Sequence, residues 1–169
     1  MANTGQGVAT VFKTALTAND SSAKEELGTI RTEYDSTNGP KTYMYVLANG
    51  AIAAGTPVIF NGVTGYTVGP DTVNAIATKR CVGVGIGTIT TAYYGWIQVR
   101  GHSTNILTHA DACTTAYMEM VYLCGTVRSL KYQNTTTLGA SSYFVLAGIT
   151  AHESLATACT TMSGYIHCM

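Results

Sequence analysis

The chain has 169 residues, nine Lys and Arg against nine Asp and Glu, and a formal net charge of zero at neutral pH. Charged residues make up 11% of it, against about a quarter in ordinary soluble domains, and the absence of Lys and Arg clusters beyond Lys79 and Arg80 argues against nucleic acid as a partner. A single domain of this length builds a core without staples, and a surface so poor in charge suits a molecule largely covered by other protein.

Residues 1–26 read as a polar N-terminal arm. The opening MANTGQGVAT has neither the basic start nor the apolar run of a secretory signal, so the chain is expected to be made inside a cell. Val8, Val11 and Phe12 form a small apolar patch in the arm. Asp20, Ser21 or Ser22 can cap one helical turn through Glu25 and Glu26, with Gly28 ending it; the other reading of this stretch is an extended arm. Five of the nine acids, Asp20, Glu25, Glu26, Glu33 and Asp35, fall before position 36, which leaves the body at 27–169 with few charges.

Across the body, short strand candidates alternate with turn signals. They are 29–33 (TIRTE), 42–47 (TYMYVL), 57–60 (PVIF), 65–68, 73–77, 81–89, 93–100, 117–123, 126–130, 143–149 and 165–168. Asn38-Gly39-Pro40 marks a turn. Asn61-Gly62 predicts a tight two-residue hairpin after the PVIF strand, because both central residues must accept positive φ. Turn signals every 8 to 12 residues or so, and no long helical period, predict an all-β fold, a small barrel or sandwich. The 28 threonines agree, since β-branched residues suit a pleated surface. A short helix is expected, if anywhere, within 108–116 or 151–158. No stretch approaches the roughly 18 apolar residues of a membrane helix, so no membrane partner is expected.

No catalytic constellation emerges. The alternating glycines of VGVGIG at 82–87 lead into β-prone TITTAYYGW and not into a helix, so a phosphate-binding loop is rejected. On a strand these glycines leave one face bare, ready for close packing with Trp96 and Tyr94 as the natural fillers. The five cysteines, Cys81, Cys113, Cys124, Cys159 and Cys168, are odd in number and lack a CxxC, so they read as reduced, small apolar residues. His167 and Cys168 are neighbours on a strand and point to opposite faces, which argues against a shared metal ion. Nothing selects one Cys–His pair among His102, His109, His152 and His167 as a nucleophile. No metal and no cofactor are expected.

Contact chemistry is better represented. Eleven tyrosines against three phenylalanines supply rings that bury one side and keep a wet hydroxyl. In YYGWIQVRG, Tyr93, Tyr94 and the only tryptophan, Trp96, precede Arg100 and His102; Trp, Tyr and Arg together are enriched in protein contact patches. Tyr93, Tyr94, Trp96, Arg100 and His102, with Phe12, Glu25 and Glu26 of the arm, are the candidate partner-binding residues.

The order LGTIR, GPKTYMYVLANGAIAAGTPVIF, CVGVGIGTIT and YYGWIQVRG resembles the capsid decoration, or cement, proteins of tailed bacteriophages. It covers 27–101, a little under half of the chain; the polar start and the five cysteines depart from the pattern. The resemblance implies a non-enzymatic β-rich virion protein on the outer capsid surface, assembled as a homotrimer or dimer. Its partner would be the major capsid protein, with neighbouring copies clamped together and the N-terminal arm reaching a neighbour. The alternative is a fibre, tail or carbohydrate-binding β module in which Trp96 and Tyr93-Tyr94 stack on sugar rings.

Overall fold

The structure is a computed structural model that describes residues 12–61, 65–70, 81–107, 120–124, 129–132, 146–151 and 161–168. It is all-β: ten strands and, among the described residues, no helix. They are β1 (Ile30–Asp35), β2 (Gly39–Ala48), β3 (Pro57–Phe60), β4 (Thr67–Pro70), β5 (Cys81–Gly85), β6 (Tyr94–Leu107), β7 (Met120–Cys124), β8 (Ser129–Tyr132), β9 (Leu146–Ala151) and β10 (Thr161–His167). The strand expected at 73–77 and the two helix candidates lie outside the described residues.

Five strands close a ring of pairings. β2 pairs with β4, β4 with β3, β3 with β5, β5 with β6, and β6 returns to β2; the β2–β4 pair alone is parallel among these. β1 joins the ring at β2, while β10, β9, β7 and β8 extend it from the long β6. Apolar side chains from both walls fill the ring: Met44, Val46 and Ala48 of β2, Val58, Val68 and Val82, and Ile97 and Val99 of β6, closed by Ile52 and Ile89. A second cluster, Ile59, Cys81, Val84, Ile106, Ile149, Met162 and Ile166, fills the space between β3, β5 and the β6–β10–β9 extension.

One edge of β2 serves two neighbours in succession. Tyr45 exchanges backbone hydrogen bonds with Gly28 and Thr29 on the way into β1, and two residues later Leu47 donates to the Tyr66 carbonyl that leads into β4. The sheet therefore splits between Tyr45 and Leu47. At the split the Tyr66 ring lies against Gly28, whose φ is +85°; a Cβ there would run into Tyr66 Cζ and both Cε atoms. Only glycine fits both the left-handed backbone and the contact.

Turn chemistry followed the sequence at one end of β2 and departed from it after β3. Between β1 and β2, Asp35 pairs with Gly39, so Ser36, Thr37 and Asn38 make a three-residue loop closed by Gly39 at φ +77°. Asp35 Oδ1 accepts the backbone N–H groups of Thr37 and Asn38, and Lys41 Nζ meets Asp35 Oδ2 at 2.7 Å. After β3 the predicted two-residue turn is replaced by a wider one. Asn61 N–H donates to Thr67 O, and Phe60 pairs with Val68; Gly62, the second residue of the predicted turn, lies outside the described residues. Tyr66 takes the positive φ, 65°, near the far end of the connection.

The alternating glycines of β5 do pack closely, but against different partners from those expected. A Cβ on Gly83 would meet Gln98 O at 2.7 Å and Ile97 Cδ1 at 2.9 Å; one on Gly85 would meet Ala53 O at 2.5 Å and Ile52 Cγ2 at 2.7 Å. Trp96 and Tyr94 are on the opposite face of β6 from Ile97, because successive strand residues alternate. The strand expected to run through position 89 stops at Gly85, and Ile89 forms an isolated bridge to Ile52.

Candidate functional site

The face of β2 and β6 that points away from the ring is covered by the chain's own N-terminal segment. Tyr43, Tyr45 and Trp96 form its buried floor, with Phe12, Leu16, Leu27, Ile86 and Tyr94 packed around them. Trp96 is 1% exposed and Tyr45 is fully buried. Phe12 meets the indole edge-on, with centroids 5.6 Å apart, and Tyr45 meets it at 5.2 Å. These aromatic contacts are favourable beyond the area they bury.

Polar bonds fix the same segment to the sheet. Trp96 Nε1 donates to Thr14 Oγ1 at 2.9 Å, and Lys24 N–H donates to the Tyr45 hydroxyl at 3.2 Å. Asp20 and Tyr94 exchange both backbone hydrogen bonds. Asn19 bonds Thr90 twice, through Nδ2 to the hydroxyl and through Oδ1 from the backbone N–H. The predicted capped helical turn at 20–26 is absent: Asp20 is held in an extended bridge to β6, and bends follow it. Backbone pairing with Tyr94 uses the groups that a helix start would have left for its own cap.

Strand β1 adds an inverted pattern. Its charged residues turn inward: Arg31 lies over the Phe12 ring, 4.9 Å from its centroid, donates Nη1 to Thr14 O at 3.0 Å, and pairs with Glu33. Its other residues turn outward: the large Ile30 and Tyr34 and the small Thr32 are exposed, Tyr34 to 79%. The aromatic floor needs a planar cation with apolar stems to cover it, and Arg31 supplies that. Burial holds the Tyr43 and Tyr45 hydroxyls above the ordinary tyrosine pKa, with the carboxylates of Glu33 and Asp35 adding to the effect at Tyr43. Asp35 goes the other way: the Lys41 ammonium first, then the two backbone N–H groups, hold its carboxyl far below the usual range.

The residues picked from sequence separate into several places. Phe12, Tyr94 and Trp96 converge in the aromatic floor, and Tyr93 packs instead against the ring core. Trp96, expected at a contact surface, is interior because the N-terminal segment lies over it. Glu25 is half-buried and accepts the Lys13 backbone N–H, while Glu26 is exposed. Arg100 is exposed near the middle of β6, across from His167 of β10. His102 is buried beside Tyr165, ring centroids 5.2 Å apart, and Tyr165 in turn stacks on His167. Gln98, half of the polar alternation in YYGWIQVRG, is buried; its Nε2 donates to the carbonyls of Arg100 and His102.

Sequence reasoning missed the outer face of β1. Alternation in IRTEYD was legible, yet its usual reading puts the apolar set inside. The exposed large hydrophobic side chains of the described residues are Ile30, Tyr34, Phe60, Tyr66 and Tyr165. β1 ends the strand order and has β2 as its one strand partner among the described residues. Among the described residues no group of three or more His, Cys, Asp or Glu is arranged to hold a metal ion. No protein-family model and no curated protein matches the chain.

Proposed function

We propose that this chain is a capsid decoration protein of the tailed-phage cement type, lying on the outside of an assembled head and joining neighbouring copies of the major capsid protein. The observation that carries the reading is β1, which turns Ile30, Thr32 and Tyr34 outward and its charges inward. A strand arranged this way offers backbone groups and apolar side chains to another chain. The resembling stretches LGTIR, GPKTYMYVLANG, AGTPVIF, CVGVG and YYGWIQVRG supply the first two residues of β1, then β2, β3, β5 and the first half of β6, with β4 outside them.

Assembled as a homotrimer, or as a dimer, the protein needs only modest contacts per subunit. Several weak contacts on a repeating lattice add multivalently, and a ligand that binds only the assembled shell stabilises it by mass action. The sugar-binding reading has no specific observation in its favour, since the Trp96 ring that would stack on a sugar is closed off by Phe12 and Tyr45. The test is sedimentation of the purified chain with isolated expanded heads and, separately, with unassembled major capsid protein. Saturable co-migration with heads alone is expected; no association with heads overturns the proposal.

A further inference from the structure

Two cysteines far apart in sequence meet in the second core cluster. Cys81 opens β5 opposite Ile59, is 4% exposed, and turns its sulfur toward Gly83 O at 3.1 Å. Cys168 follows β10, is anchored by its backbone N–H to Val99 O at 3.1 Å, and packs against the cluster that contains Cys81. Its sulfur is 3.8 Å from Gly148 O, and the Cys81 and Cys168 sulfurs lie within interaction reach of each other. Gly148, at φ +69°, lies in contact with this arrangement: a Cβ there would be 3.4 Å from Cys168 Sγ. Cys168 is partly exposed and Cys81 is buried, so an exchange partner approaches from the Cys168 side.

We propose that Cys81 and Cys168 are a redox-convertible pair, held as thiols in a reducing compartment and joined as a disulfide by exchange with a small-molecule disulfide such as oxidised glutathione. The Cys168 thiolate attacks one glutathione sulfur, forming a mixed disulfide and releasing the first glutathione. Cys81 then attacks the Cys168 sulfur and releases the second. The two cysteines are oxidised by two electrons in all, the glutathione disulfide is reduced to two thiols, and the two cysteine protons end on those thiols.

The consequence is a covalent tie between β5, in the ring, and the segment after β10, in the extension. At present these are joined through β6 and the packing of the second cluster. Closing so long a loop restricts the unfolded chain and favours the folded one. The Cys168 thiol is pushed well above the ordinary range by its interaction with Cys81 and by burial, while the same interaction lowers Cys81. Attack through Cys168 is accordingly slow at neutral pH and faster in mild alkali.

The experiment uses the whole chain, reduced and freed of reductant, then incubated under native conditions with oxidised glutathione. Expected are a product about 2 mass units lighter without retained glutathione, a peptide map linking Cys81 to Cys168, and a Tm rise on the order of 5 °C that dithiothreitol reverses. In Cys81→Ala the reaction stops at a glutathione adduct on Cys168. Because the wild-type map is decisive alone, a variant that does not fold leaves the test intact. A stable glutathione adduct on the wild type, a disulfide using Cys113, Cys124 or Cys159, or a link formed only in denaturant overturns the proposal.

Discussion

The indole N–H of Trp96 donates to the hydroxyl of Thr14, 82 positions away in the chain, at 2.9 Å. That bond satisfies the one polar atom of the largest buried side chain, and it also latches the N-terminal segment over the sheet. Thr14→Val leaves the indole N–H buried without this acceptor and is expected to lower the unfolding free energy by about 1–3 kcal/mol. Thr14→Ser keeps an acceptor and should stay within about 0.5 kcal/mol of the parent. Urea titration followed by Trp96 fluorescence measures both; equal stability of the parent and Thr14→Val contradicts the latch.

Gly28 and Gly39 separate two costs that a glycine can hide. Both have positive φ, but nothing lies within 4 Å of a Cβ at Gly39, whereas Gly28 faces the Tyr66 ring. Gly39→Ala is expected to cost about 1 kcal/mol, the backbone strain alone. Gly28→Ala should exceed it by a further 1–2 kcal/mol or so as the ring is displaced. Thermal unfolding of the two variants side by side gives the comparison, and an inverted order would remove the sheet-split contact from the account.

Asp35 makes stability depend on pH in a definite direction. Its folded pKa lies below its unfolded value of about 3.9, so its contribution is present above pH 4 or so and is lost as the pH falls through the folded value. Asp35→Asn cannot titrate. The Tm gap between wild type and Asp35→Asn should be constant from pH 7 to about 5 and narrow below pH 4. A gap that widens on acidification would reverse the sign and rule out the Lys41 bond as its source.

Tyr34 and Trp96 answer different questions about the proposed capsid contact. Tyr34→Ser alters a side chain that is 79% exposed, so Tm should move by no more than about 1 °C, while head binding falls at least about tenfold if the residue anchors the interface. Trp96→Ala empties the aromatic floor and should cost about 3–5 kcal/mol of stability. Unchanged head binding by a folded Tyr34→Ser variant would move the interface off β1.

Local pattern determined the class of this protein. Turn signals at Asn38-Gly39, β-branched runs and the lack of a helical period specify strands because a period of two and a positive-φ residue are properties of the backbone in the neighbourhood. PVIF formed the strand expected of it, CVGVG formed one that stops at Gly85 instead of position 89, and the YYGWIQVRG strand runs on past Arg100 to Leu107. What lies opposite each strand was decided by the tertiary structure. The same IRTEYD alternation fits either orientation, and its charges turned inward only because Phe12 and Trp96 lay there to be covered by Arg31. Trp96 left the surface for the same reason: the segment that buries it pairs with β6 from more than seventy residues away, and no window of sequence encodes which distant backbone will arrive. Cys81 and Cys168 met by the same route, since the strand order that brings β5 and β10 to either side of β6 follows from how the ring closes and not from cysteine spacing.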